Sequence, residues 1–250
     1  SRCHIHPVDV DATGMVPDAI PGIASVIFTT PSHQCPTNHT MPLERRKALL
    51  DRAANLNALI VEDDYEFEIA NTTTPSPALK SLDADGRVIY VGSFSKSLFP
   101  GLRLGYLVGS APFIREARAL RASVLRHPPG HIQRTAAYFL SLGYYDSQIK
   151  RTARTYRARR EMLISAIVKY NLTIDGPAPS GGSSVWMKAP DHVDTSDLAQ
   201  RLRKRSVLIE PGTAFFPGEA RSSSHYRLAY SSIGLEHIET GIRLIADEIA

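Results

Sequence analysis

Two short apolar runs, Val88-Ile89-Tyr90-Val91 and Gly105-Tyr106-Leu107-Val108, flank a stretch of Gly, Ser, Phe, Lys, Pro and Arg that carries no amphipathic period. Parallel neighbours in a sheet need a long crossover, normally a helix, and this stretch does not supply one. The second run is therefore expected to lie antiparallel to the first. Upstream the pattern differs. Ser25-Val26-Ile27-Phe28-Thr29 is a β-rich run stopped by Pro31, and Leu59-Ile60-Val61 is another that ends in Glu62-Asp63-Asp64. Between them, Pro42 to Leu56 sets Leu43, Ala48, Leu49, Ala53 and Leu56 amid charge, with Pro42 suited to a first helical position. Asp85-Gly86 marks a turn before Val88. Strand, helix, strand, connection, strand predicts an α/β fold with a mostly parallel sheet, one antiparallel strand and covering helices.

The second half has a different rhythm. His127-Pro128-Pro129-Gly130 breaks one helix near Arg126, and a long helical stretch follows from Tyr145 to Tyr170. Short strands are expected near Val185 to Lys188, Val207 to Glu210 and Tyr226 to Tyr230, with helices near Ser196 to Lys204 and Leu235 to Ile249. This predicts a smaller α+β domain over residues 126–250, after a larger one over 1–125. A chain of 250 residues is long enough for both.

Apolar residues make up 43% and charged residues 22%, the balance of an ordinary globular protein. No apolar run approaches the roughly 18 residues that span a bilayer, so no membrane association is expected. The start, Ser1-Arg2-Cys3-His4, lacks the pattern of a signal peptide and has no initiator Met, so a fragment is expected, beginning near a strand at Cys3 to Pro7. Cys3 and Cys35 are the only cysteines, too few for a disulfide scaffold or a four-cysteine metal site, which makes the cytoplasm the expected compartment. The formal charge of +4 includes arginines at helical spacing, Arg115, Arg118 and Arg121, then Arg151, Arg154 and Arg157. Such stripes read first as solvated helix faces. No helix-turn-helix, zinc finger or RNA-binding motif is present.

The chemistry concentrates in Ser93-Phe94-Ser95-Lys96-Ser97-Leu98-Phe99-Pro100-Gly101-Leu102-Arg103. It follows a buried strand, at the sheet edge where open α/β folds bind ligands. Hydroxyls and a guanidinium can hold a phosphate, while a lysine beside them can attack an aldehyde. A lysine in a loop is also, in the plain case, a solvated surface charge. In Glu62-Asp63-Asp64-Tyr65 an aspartate at the strand end can pair with a ring nitrogen and keep it protonated, and a tyrosine two residues on can reach a ring oxygen. A solvated acidic turn or a magnesium site is the competing reading.

Together these pieces resemble the fold-type I aminotransferases: Ser-x-Ser-Lys, then Pro-Gly-x-Arg-x-Gly, preceded by Asp and Tyr at a strand end. With Thr30-Pro31-Ser32-His33-Gln34-Cys35-Pro36-Thr37, the Arg-rich Tyr156-Arg157-Ala158-Arg159-Arg160 and the terminal Tyr226-Arg227-Leu228-Ala229-Tyr230-Ser231, the chain is similar to the MocR (GabR-like) subfamily of GntR transcription regulators. The resemblance implies pyridoxal 5'-phosphate as cofactor, with Lys96 carrying the internal aldimine, Asp63 facing the pyridine nitrogen and Tyr65 contacting the ring hydroxyl. It implies Ser93, Ser95 and Arg103 around the phosphate, and Arg227 holding a substrate or effector carboxylate, for which a guanidinium fork is better suited than a lysine. A structural ion pair is the other reading of Arg227.

The departures are informative. Cys35-Pro36-Thr37-Asn38 stands where aminotransferases carry Asn-Pro-Thr-Gly, so the asparagine contact to the ring oxygen is absent, and His33 and Gln34 are candidates to compensate. Gly181-Gly182-Ser183-Ser184 replaces Gly-Gly-Met-His. The expected function is the effector-sensing part of a MocR-type regulator, which recognises a small amino acid or amine by aldimine exchange at Lys96. A class I/II aminotransferase is the alternative. DNA would be bound only through a winged-helix domain outside this chain, and a homodimer is expected by analogy with the fold.

Overall fold

The structure, a computed structural model, describes residues 3–66, 76–176, 182–216 and 224–249. Contacts divide the chain into two units, residues 1–34 with 39–152, and residues 35–38 with 153–250. The division falls inside a long helix, whereas the sequence boundary at 125/126 lies in the break between two earlier helices.

In the first unit, Val10–Asp11 (β1) and Gly14–Met15 (β2) form a short antiparallel hairpin. Its turn is held by the Asp11 carboxylate, which accepts the Thr13 backbone N–H at 2.7 Å. The strand expected at Cys3 to Pro7 is not formed. Those residues are exposed and pair with no ladder among the described residues, and Pro7 has no N–H to give one.

Val26–Thr29 (β3), Leu59–Asp64 (β4), Val88–Ser93 (β5) and Gly105–Val108 (β6) form one sheet in that order. The first two pairings are parallel and β5 with β6 is antiparallel, as the missing crossover required. Close approach at that last pairing demands glycine. A Cβ on Gly92 would sit 2.2 Å from Cζ of Tyr106, its partner across the ladder, and one on Gly105 would sit 2.8 Å from the Gly92 carbonyl oxygen.

Leu43–Asn55 (α1) crosses from β3 to β4 and buries Arg46, Leu49 and Ala53, positions three and four apart on one helical face. They join Ile27, Ile60, Leu79 and Val88 in the core of this unit. Leu79–Leu82 (α2) is a single turn before β5. Ala111–Val124 (α3) is capped by the Ser110 hydroxyl, and Gly130–Ser141 (α4) follows the proline-rich break. Arg115, Arg118 and Arg121 are exposed, as solvated helix faces should be.

Tyr144–Lys169 (α5) contains the unit boundary. The second unit adds Thr173–Ile174 (β7), Ser184–Lys188 (β8), Thr195–Lys204 (α6), Glu210–Pro211 (β9), His225–Ala229 (β10) and Leu235–Ile249 (α7). Its sheet runs β7-β8-β10-β9, antiparallel throughout. Asp194 caps α6 through the Ser196 and Asp197 N–H groups, and Leu198, Leu202, Ile238, Ile242 and Ile245 bury the apolar stripes of α6 and α7. Among the described residues no helix is long and apolar enough to cross a membrane.

Candidate functional site

Strand β4 sorts its acidic end by alternation. Glu62 and Asp64 are buried while Asp63 is exposed and Tyr65 half-buried. Each buried carboxylate has a structural task. Glu62 accepts the N–H groups of Leu79 and Lys80, both at 2.8 Å, and lies 3.7 Å from the fully buried Arg46 guanidinium. Arg46 in turn donates to the carbonyls of Met41 and Pro31, at 2.9 Å each, and so ties the segment after β3 to α1. Burial pushes the Glu62 carboxyl up and the Arg46 guanidinium down, the sign of a pair whose desolvation outweighs its attraction. Asp64 accepts a hydrogen bond from Ser32 Oγ at 3.1 Å.

Asp63 and Tyr65 are thereby directed away from Asp64. Desolvation pushes the Asp63 carboxyl above the usual carboxylate range, and the Tyr65 hydroxyl donates to the His33 carbonyl at 3.4 Å. A carboxyl raised in this way gains from a cationic ring nitrogen beside it.

Beyond β5 the Ser95 N–H donates to Ser93 Oγ at 3.2 Å, and the Leu98 N–H closes a helical turn onto the Phe94 carbonyl at 2.9 Å. Lys96 sits on that turn. The chain then passes through a short helical turn at Pro100–Leu102 into Arg103, which is exposed and left-handed at φ 49°. The Phe94 N–H donates to the Leu104 carbonyl at 3.0 Å, drawing the loop closed across the β5–β6 edge. Asp63, Tyr65, Ser93, Ser95, Lys96 and Arg103 thus belong to one unit, on the carboxyl ends of β4 and β5 and the loop that follows.

Two buried groups here had not been singled out from the sequence. Glu66, 2% exposed, places Oε1 3.7 Å from Lys96 Nζ. Ser97 is also buried, and its Oγ meets no hydrogen-bond partner among the described residues. The signal for Glu66 was its place directly after Tyr65; Ser97 gave none beyond its place beside Lys96. An amine, three loop hydroxyls, one of them unsatisfied, a guanidinium and an elevated carboxyl fit an aldehyde that carries a phosphate and a basic ring.

Arg227 lies on β10 of the second unit, opposite Glu210 of β9. Its Nε donates to Ser184 Oγ at 3.0 Å and its Nη1 to Glu210 at 2.7 Å. The guanidinium therefore has a carboxylate of this chain on one arm, which agrees with the ion-pair reading and leaves open a competing ligand acid. Glu210 was not expected in this role; a lone Glu at a strand end carries no distinguishing pattern. Of the segment Gly181-Gly182-Ser183-Ser184, Gly181 lies outside the described residues.

The profile of the aminotransferase class I and II family matches residues 10–243. The chain belongs to that family. It is 58% identical, over 96% of its length, to the HTH-type transcriptional regulator TauR of Rhodobacter capsulatus, of which it spans 49%. It is 34% identical over 68% of its length to the probable rhizopine catabolism regulatory protein MocR of Rhizobium meliloti, spanning 35% of that protein. These matches bear out the resemblance to the aminotransferase-like part of MocR-type regulators, and the chain spans half or less of each regulator. Among solved structures it is similar to a kynurenine aminotransferase of Pyrococcus horikoshii, with a TM-score of 0.89 and 29% identity over 97% of this chain and 62% of that one. The fold is that of the fold-type I aminotransferases, and family and fold together imply pyridoxal phosphate.

Proposed function

We propose that this chain is the effector-binding part of a MocR-type transcription regulator, in which pyridoxal phosphate held at Lys96 reports a small amino acid or amine. The observation that carries the reading is the Lys96 turn at the sheet edge, set with Asp63 in one unit of a chain 58% identical to a transcriptional regulator. Bound there, the cofactor supplies an aldehyde carbon that one amine at a time can occupy and a ring that withdraws electrons. Ser93, Ser95 and Arg103 hold the phosphate by charge-assisted hydrogen bonds. Asp63 keeps the ring nitrogen protonated, Tyr65 orients the ring hydroxyl, and Arg227 takes the effector carboxylate. Replacement of Lys96 by the effector's amine frees the lysine, and the two states bias DNA binding by a winged-helix domain outside this chain. The protein acts in the cytoplasm as a homodimer.

Borohydride reduction in the presence of pyridoxal phosphate, followed by peptide mapping, tests the cofactor assignment. The label is expected on Lys96, and a label on Lys80 or Lys188 instead would remove the basis of the reading. The likeness to the kynurenine aminotransferase favours a second reading, turnover as an aminotransferase. Spectroscopy with a panel of amino acids, followed by keto-acid assays, separates the two. A sensor changes its spectrum without sustained product, because only an enzyme must bind the transition state better than the bound amine.

A further inference from the structure

Resting on that reading, we propose that Glu66 is a docking carboxylate for the Lys96 amine, a positioning residue that holds the lysine side chain in place whenever it is not bonded to the cofactor. The geometry begins with burial. Glu66 is 2% exposed, yet one of its carboxylate oxygens lies 3.7 Å from Lys96 Nζ, while Lys96 remains 37% exposed on the side chain. A carboxylate so deeply buried needs a cation or strong donors nearby, and removing such a partner leaves an uncompensated charge. His33, 5% exposed, is a further titratable group that senses Glu66. Burial pushes the His33 imidazole toward its neutral form, against the pull of Glu66, and its Nδ1 has no hydrogen-bond partner among the described residues. The ammonium of Lys96 is thus a compensating charge that the imidazole does not provide.

The placement has a consequence for what the freed lysine does. The effector enters as an ammonium. With the cofactor bound, its nitrogen would form the new bond to the carbon that held Nζ, the bond from that carbon to Nζ would break, and two protons would pass from the entering nitrogen to Nζ. Lys96 therefore leaves as an ammonium, with no net proton, electron or co-reactant required. Glu66 receives it in that form. A lysine docked on a buried carboxylate is held in that contact instead of against the bound amine, so the site registers the amine and stops there.

The test needs no cofactor, so its outcome is separate from the borohydride mapping that decides whether pyridoxal phosphate binds. Trace acetylation by acetyl N-hydroxysuccinimide ester is followed peptide by peptide in the wild-type chain, Glu66→Gln, Glu66→Asp and His33→Gln, with Lys47 as the internal reference and circular dichroism as the check on folding. Glu66→Gln should acetylate Lys96 about fivefold faster than wild type, because the charged partner that engages its Nζ is gone. Glu66→Asp should fall between, and His33→Gln should match wild type. An unchanged Lys96 rate in Glu66→Gln overturns the proposal, as does equal acceleration in His33→Gln, which would assign the effect to loosened packing. If Glu66→Gln loses the wild-type spectrum, Glu66→Asp against wild type decides: retraction of the carboxylate by one methylene must still speed Lys96, and an unchanged rate overturns the pairing.

Discussion

At the scale of single residues, the chain uses its acids on one strand for opposite purposes. Glu62 and Arg46 are both fully buried and brace the backbone on either side of the candidate site. Arg46→Met removes the fully buried counter-charge of Glu62 and should cost about 3–5 kcal/mol in chemical denaturation. Adding Glu62→Leu to it should recover much of that loss, since the pair's desolvation outweighs its attraction. A second prediction concerns Arg227. Glu210 occupies one arm of its guanidinium and is half exposed. If Arg227 receives an effector carboxylate, Glu210→Gln should tighten binding of carboxylate-bearing ligands by roughly fivefold in calorimetry, the scale of a partly exposed ion pair. Unchanged or weaker binding would return Arg227 to the reading of a structural ion pair.

At the scale of elements, the start of β5 hangs on Asp83. Burial pushes its carboxyl up, but hydrogen bonds from Lys80 Nζ at 2.8 Å, the Val88 N–H at 2.9 Å and the Arg87 N–H at 3.0 Å prevail and hold it below the usual range. A depressed carboxyl stabilises the fold above its unfolded value, about 3.9, and that contribution is lost as pH falls through the folded value. Asp83→Ala should therefore lower stability by about 2 kcal/mol at pH 7, and the gap to wild type should shrink below pH 4 in paired urea titrations. A constant gap would show that the ionised form has no special role. The same element illustrates how order was read from the sequence: β3, α1, β4, β5 and β6 all stand where periodicity put them, because each has a run of apolar residues at a single period. The strand expected at Val207 to Glu210 contracts to Glu210–Pro211. Its apolar residues promised more than the ladder delivers, and Pro211 has no N–H with which to extend it.

At the scale of the whole molecule, the chain spans about half of the regulator to which it is 58% identical, so cofactor retention is a property to measure on this chain itself. A ligand that binds only the folded form raises the melting temperature with its concentration. Added pyridoxal phosphate should raise the melting temperature of the wild-type chain in a dose-dependent way, and Lys96→Ala should reduce the shift. Equal shifts in both proteins would place the binding elsewhere. The two compact units also bear on how the candidate residues were found. Asp63, Tyr65, Ser93, Ser95, Lys96 and Arg103 were visible because they fall in two short, dense motifs, and Arg227 because of the segment around it; the unit each belongs to followed only from contacts.

The sequence by itself determined the order of strands and helices, the antiparallel turn of β6 and the identity of the loop that carries Lys96. Those features depend on local period, on glycine and proline, and on what a short connection permits. The tertiary structure decided which acids are buried, that Asp64 serves Ser32 while Asp63 stays exposed, and that Glu66 meets Lys96. Such pairings join residues 30 or so positions apart, where neither charge nor spacing along the chain carries a signal. Only the packing of strand ends against loops fixes which charge loses its water and which partner replaces it.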